Sequence, residues 1–334
     1  RIVERIGCSR CCIVRSLQIT THYLIKKETF MNNLLSKLFI FFLSIGVISS
    51  CSISKKAGKI SATAPTENAL LWKIEKGDMS PSYLYGTIHI IPSEDFFYPK
   101  GTLQAIESTE KMVFEIDMSV MSDMSAQMAL MSKAVMKDGK TLRDFTTREE
   151  YDLIKAHFDK MGLPLALLER MKPAFLSVFA SEEMSPNAMQ SGEMKSYEME
   201  FMEIANTQKM ELGGLETVEY QLSVFDSIPY LDQAKMLVES IKSTNSGDDD
   251  FKKMIDIYKE QDLKGMGEMF SDETLGDMDL ILNNRNKNWI PVMQEYMAKE
   301  PVFFAVGAGH LVGDEGVISL LRKQGYIMTP IIEE

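Results

Sequence analysis

Two stretches decide the fold: "YLYGTIHI" at Tyr83–Ile90 and "FAVGAGHL" at Phe304–Leu311. Each is a short apolar run that breaks at glycine and delivers a histidine, so both read as buried strands with a Gly-x-x-His at the end. Two of the chain's four histidines, His89 and His310, stand in this setting. Upstream of the first, "LLWKIEKG" (Leu70–Gly77) alternates as a strand does, and the turn "GDMSP" makes the two a hairpin or an adjacent pair. Downstream, "GTLQAIESTE" reads as a short helix and "KMVFEID" (Lys111–Asp117) as a third strand, and strand–helix–strand argues for parallel pairing. The second stretch leads into a helix, "DEGVISLLRKQG", closed by Gly325, and a last strand, "YIMTPII". The expected fold class is α/β: two βαβ-like halves forming a mixed, mostly parallel sheet, with a large helical insertion over about residues 118–206.

From Met118 to about Asn206 the pattern is helical throughout. Thr147 and Glu150 have capping-box spacing, and Gly162 is a stop. The run "MSPNAMQSGEMKSYEMEFM" carries Met184, Met189, Met194, Met199 and Met202 at helix-like spacing, the signature of adaptable core or of a greasy groove lining. "QKMELGGLET" (Gln208–Thr217) is a further strand. Helices follow in "YLDQAKMLVESIKS", "FKKMIDIYKEQDLKGM" and the long stretch Met278–Glu300, whose Pro291 reads as a helix start rather than a kink.

Each strand end delivers a chemically capable side chain: His89, Glu115, Glu216 and His310. In open α/β sheets ligands bind beyond the carboxyl ends of parallel strands, so these four are expected to converge on one edge. Gly86, Gly307 and Gly309 would let the backbone turn there with no Cβ in the way. Two imidazoles and a carboxylate are a common ligand set for a divalent ion, with Mn, Co and Zn all compatible. Such an ion activates water for attack on an acyl group, and a further carboxylate, Glu216, can serve as acid or base or support the site from behind. His157, within a helix, reads as an ordinary core or surface residue. No His-Glu-x-x-His or Gly-x-Ser-x-Gly is present. The glycine-rich "GAGHLVG" lacks a Walker lysine, and only one strand follows it, so phosphate binding is the weaker reading.

Residues 1–30, which do not begin with Met, read as an upstream extension outside the working protein, and residues 31–50 as a signal peptide: a polar start with Lys37, then an apolar run from Leu38 to Val47. "ISSC" resembles a bacterial lipobox, making Cys51 the expected lipidation site, and a plain N-terminal membrane anchor is the alternative. Residues 51–67 read as a flexible tether, and residues 68–334 as the folded domain. Ser52 is not an Asp-type retention residue, which points to an outer membrane. With Cys51 lipidated, the chain beyond it has no cysteine, which excludes thiol chemistry and disulfides. Beyond residue 50 the chain holds 29 basic and 46 acidic residues, a net charge of −17, which argues against nucleic acid.

Taken together, "LYGTIHI", "VFEID", "GLET" with Gln221, "RNKNW" and "FAVGAGHLVGDEGV" resemble the TraB/GumN family, which includes the Tiki-type metalloproteases, from about Leu70 to Ile332. The resemblance implies an active site of the two Gly-x-x-His motifs (Gly86–His89 and Gly307–His310) with Glu115. It also implies that Arg285 and Asn286 face that site, with Arg285 suited to stabilising an oxyanion. It implies an α/β fold shared with erythromycin esterases and some haem-binding lipoproteins. The expected function is hydrolysis of a peptide or small ester by a lipid-tethered, metal-dependent enzyme. The rival is a non-catalytic lipoprotein holding haem, iron or another ligand at the same edge, with Met and Tyr side chains contributing.

Overall fold

The computed structural model describes residue 65 and residues 67–118, 124–178, 180, 191–246, 250–270 and 282–332, all within the compact unit Phe42–Glu334. The leader, Cys51, most of the tether, Met184 and Met189 lie outside the described residues.

Among the described residues eight strands appear in chain order: β1 (Leu71–Glu75), β2 (Ser82–Thr87), β3 (Ile90–Pro92), β4 (Lys111–Ile116), β5 (Met194–Ser196), β6 (Glu211–Glu216), β7 (Val302–Gly307) and β8 (Ile327–Pro330). The helices are α1 (Thr102–Glu107), α2 (Met124–Ala134), α3 (Arg148–Lys160), α4 (Pro173–Val178), α5 (Tyr197–Gln208), α6 (Val218–Val224), α7 (Tyr230–Ser246), α8 (Asp250–Lys259), α9 (Leu263–Phe270), α10 (Asn284–Met297) and α11 (Val317–Lys323). Six strands form one mixed sheet in the order β6-β4-β7-β2-β1-β8. The pairs β6–β4, β4–β7 and β7–β2 are parallel, while β1 runs antiparallel to both β2 and β8. This is the α/β, mostly parallel sheet expected.

The apolar run of β7 explains its central place. All six residues are buried, as a parallel strand covered on both faces requires. Register then aligns the strand ends. Thr87 pairs with Gly307, Phe114 with Ala305, and Ile116 with Glu216. The carboxyl ends of β2, β4, β6 and β7 therefore lie level along one edge.

Two local readings are corrected. The stretch from Met118 to Asn206 is not helical throughout: β5 breaks it by pairing antiparallel with β3, Ile90 opposite Ser196. A three-residue strand carries no period of its own and exists only through its partner. Pro291 sits inside α10 rather than at its start. The residue is exposed, so water can reach the Lys287 carbonyl that proline deprives of its helical donor. The capping box of Thr147 and Glu150 at the start of α3 is as read, and Gly162 follows its end with φ 74°. His157 is buried in α3 against the Ala180 carbonyl, a core residue. Of the methionines, Met194 is core, whereas Met199 and Met202 line a shallow recess with Glu200 and Glu203.

Candidate active site

The two Gly-x-x-His motifs brace each other. A Cβ on Gly86 would lie 2.9 Å from Leu311 Cδ2 and 3.1 Å from Ala308 Cα, so this glycine admits the turn that carries His310. A Cβ on Gly307 would lie 3.0 Å from His89 Nε2 and 3.3 Å from Glu115 Oε1, so this glycine admits His89. Each motif leaves room for the other's histidine.

His89 follows β2 in a left-handed conformation, φ 61°, at the apex of a three-residue turn closed by the Ile90 N–H donating to the Ile88 carbonyl at 2.7 Å. That geometry is strained for a residue with a Cβ and needs support from its surroundings. The support comes from residues that sequence reasoning did not single out. The Tyr197 N–H donates to the His89 carbonyl at 3.0 Å, and His89 Nδ1 lies 2.8 Å from Glu198 Oε1. Burial alone would lower the His89 pKa, but the charge and hydrogen bond of Glu198, with Glu115, outweigh it and raise it.

Glu115, 1% exposed, is the hub. Its Oε1 accepts the Gly307 N–H at 2.8 Å; its Oε2 accepts from Arg285 Nη2 at 2.6 Å and from Gln221 Nε2 at 3.2 Å. Burial opposes its ionisation, yet Arg285, then His310, His89 and the Gly307 amide, hold its pKa down to about 2. Gln221 Oε1 is the one buried side-chain polar atom without a hydrogen-bond partner among the described residues.

Arg285 and Asn286 come from α10, whose buried positions 285, 289, 293 and 297 recur every four residues and make one inward face. Arg285 joins the two carboxylates: Nε donates to Glu216 Oε1 at 2.9 Å, and Nη2 lies 2.7 Å from the same oxygen. Trp289 Nε1 donates to Glu216 Oε2 at 2.8 Å, and its ring lies 4.3 Å from that of His310. Burial raises the Glu216 pKa despite Arg285 and Trp289. Asn286 Nδ2 donates to the Glu315 carbonyl, which turns Oδ1 towards His310 Nδ1 at 2.6 Å. His310 Nδ1–H therefore donates to Asn286, and Nε2 accepts from Arg285 Nη1 at 3.2 Å. Burial is the first cause lowering the His310 pKa to about 3, with Arg285 adding to it, so the ring is neutral.

His89, Glu115, Glu216, Arg285 and His310 thus lie at one edge, with His310 Nε2 3.6 Å from Glu115 Oε1. The donor chemistry suits a divalent ion: each imidazole has its Nδ1 engaged by an oxygen acceptor, the arrangement usual behind metal-ligating histidines. The spacing, however, forms no group of three or more His, Cys, Asp or Glu ready to hold an ion among the described residues. The Arg285 guanidinium stands between Glu115, Glu216 and His310 Nε2. An ion bound by His310 would exchange one cation for another there.

Fold and site together define an open α/β protein with a buried His/Glu/Arg cluster beyond its parallel strand ends. The chain belongs to the TraB/PrgY/gumN family, whose profile matches residues 70–330. It is 23% identical to "Metalloprotease TIKI1" of Danio rerio over 318 residues, covering 78% of this chain and 62% of that protein. It is also 23% identical to "Metalloprotease TIKI1" of Homo sapiens, covering 78% and 61%, and to "Metalloprotease TIKI homolog" of Nematostella vectensis, covering 78% and 66%. The chain therefore spans a little over six-tenths of the length of these curated relatives. No solved structure matches it significantly.

Proposed function

We propose that this chain is a metal-dependent hydrolase of peptide or small ester bonds, working at the carboxyl edge of β2, β4, β6 and β7. The observation that carries the reading is the convergence on Gly307 and Glu115. His89 Nε2 and Glu115 Oε1 both abut the Gly307 Cα, and His310 Nε2 lies 3.6 Å from the same carboxylate oxygen. His89, His310 and Glu115 would hold the ion, with Mn, Co and Zn all compatible with such a set. When bound, the ion supplies Lewis acidity that activates water and polarises the acyl group. The relatives' printed name, metalloprotease, supports a peptide as substrate.

The chain's own residues have separable parts in this reading. His310 arrives neutral, with Asn286 on Nδ1, so its Nε2 lone pair is the ligand end. Glu216 is the carboxyl of the pair whose pKa is raised, which suits it to hold a proton and pass it to a leaving group. Arg285 balances the two carboxylates and is the positive charge available to a developing oxyanion. The lipid tether at Cys51 and an outer-membrane location belong to the same proposal. Among the described residues no helix is long and apolar enough to cross a membrane. The haem or iron reading draws on tyrosine ligands, but Tyr85, Tyr197 and Tyr258 pack on one another in a buried aromatic cluster, and no observation favours it.

Elemental analysis of the purified protein, paired with a peptide-library digest with and without chelator, tests the proposal. Stoichiometric divalent metal and chelator-sensitive cleavage, both lost in His89→Ala and His310→Ala, are expected. Neither metal nor cleavage in the wild type, or both unchanged in the two variants, would overturn it.

A further inference from the structure

Glu198 stands in the first turn of α5, where acidic residues are ordinarily solvated, yet it is only 2% exposed. Both its oxygens are occupied. Oε1 accepts from Thr87 Oγ1 at 2.8 Å and lies 2.8 Å from His89 Nδ1; Oε2 accepts from Ser196 Oγ at 3.1 Å. No lysine or arginine pairs with it in the described ion pairs; its ionic partner there is His89. A buried carboxylate costs stability unless it is hydrogen-bonded in full, so the chain maintains this one with two hydroxyls and an imidazole.

The same short segment also holds the His89 main chain. Ser196 pairs with Ile90 in the β3–β5 ladder, and the Tyr197 N–H donates to the His89 carbonyl at 3.0 Å. Residues 194–198 therefore fix His89 twice, through its strained backbone at φ 61° and through its ring. A carboxylate oxygen at Nδ1 can only accept, so in the neutral ring Nδ1 carries the proton and the lone pair falls on Nε2. Nε2 is the atom that abuts Gly307, on the side of Glu115 Oε1.

We propose that Glu198 is the positioning residue of His89, fixing its tautomer and ring orientation so that Nε2 is delivered as the working atom. This rests on the proposed hydrolytic site, but its test does not need that site to be active. Long-range proton–nitrogen NMR of the metal-free protein, at alkaline pH where the ring is neutral, reads which nitrogen of His89 is protonated, with His89→Ala identifying the signals. The wild type is expected to show Nδ1–H alone. Glu198→Met removes the acceptor with little change in volume. Glu198→Asp keeps the charge at the start of α5 but withdraws it by one methylene. Both are expected to give a mixture with Nε2–H, while Glu198→Gln, whose carbonyl can still accept, restores the single tautomer. In titrations with zinc alone, Met and Asp are expected to weaken binding by about 10–100-fold and Gln by less. A purely structural carboxylate would alter melting temperature without moving the tautomer. A single Nδ1–H form in both Met and Asp variants overturns the proposal; if only the Asp variant folds, its spectrum decides in the same way. A wild type without zinc binding or hydrolysis sinks the proposed function while leaving the tautomer result to stand or fall by itself.

Discussion

The Gly307 N–H donates to Glu115 Oε1 at 2.8 Å, and the Gly307 Cα leaves the space that His89 Nε2 occupies. One residue thus orients a carboxylate and makes room for an imidazole. Gly307→Ala would set a methyl 3.0 Å from His89 Nε2 and 3.3 Å from Glu115 Oε1, forcing one of them aside. Such overpacking costs about 1–3 kcal/mol, while displacement of a reacting group by about 1 Å costs on the order of a hundredfold in rate. Activity in the peptide digest is therefore expected to fall far more than stability in urea. A Gly307→Ala protein with wild-type cleavage would contradict the arrangement.

The strands that build the site were legible because their signals are local. The unbroken run "VFFAVG" announces a buried parallel strand, and glycine before histidine marks where it ends. The carboxylates were legible as strand-end residues, since parallel strands deliver their last side chains to a common edge. What sequence reasoning missed depends on distant partners. Glu198, Glu200 and Glu203 look alike in "SYEMEFME", and only the fold shows that Glu198 is buried against His89 while Glu203 is exposed. Ser196 is a helix N-cap signal that places Glu198 in a first turn, the ordinary position for a solvated acid, so the available signal pointed the wrong way. Trp289 sat in view within "RNKNW", but nothing local tells that its indole holds Glu216 and lies against the His310 ring.

Arg285 is the cation that pairs with both buried carboxylates and holds Glu115 ionised beside Glu216. Removing it in Arg285→Ala leaves Glu115 and Glu216 side by side without their cation, a loss of about 3–5 kcal/mol. The same change releases His310 Nε2 from its donor. The metal-free variant is therefore expected to unfold at lower urea than wild type and to recover part of the difference when zinc is added, because an ion that binds only the folded state stabilises it. Urea titrations with and without zinc measure both effects. A variant as stable as wild type without metal would remove the guanidinium from its assigned part.

The capping box of α3 lies apart from these groups and serves as a reference. Thr147 Oγ1 accepts the Glu150 N–H at 3.2 Å, and Glu150 returns a bond to the Thr147 N–H at 2.8 Å. Thr147→Ala is expected to cost about 1 kcal/mol and to leave zinc binding and peptide cleavage unchanged. A loss of cleavage without unfolding would mean that α3 is coupled to the site.

Acid should weaken the metal-free fold in two overlapping windows. Folded His310 has its pKa lowered to about 3 from 6.5, so between those values the unfolded chain binds the proton and the folded one does not. Stability then rises with pH: the His310 contribution is full above 6.5 and is lost as pH falls towards about 3. Glu115, lowered from 4.5 to about 2, adds a second contribution that is full above 4.5 and lost as pH falls through about 2. For Glu115 the linked free energy is on the order of 3 kcal/mol. His89 acts in the opposite sense and in a higher window: its raised pKa gives stability that is full below 6.5 and fades only as pH rises above it, so it leaves the acid slope untouched. Urea unfolding of chelator-treated protein at a series of pH values from 6.5 down to about 3 should show the midpoint falling, with the raised pKa of Glu216 opposing part of the fall above 4.5. In His310→Asn, which keeps a polar side chain but cannot titrate, the slope above pH 4.5 should flatten. An unchanged slope in that variant would mean that His310 is not the buried neutral imidazole its contacts require.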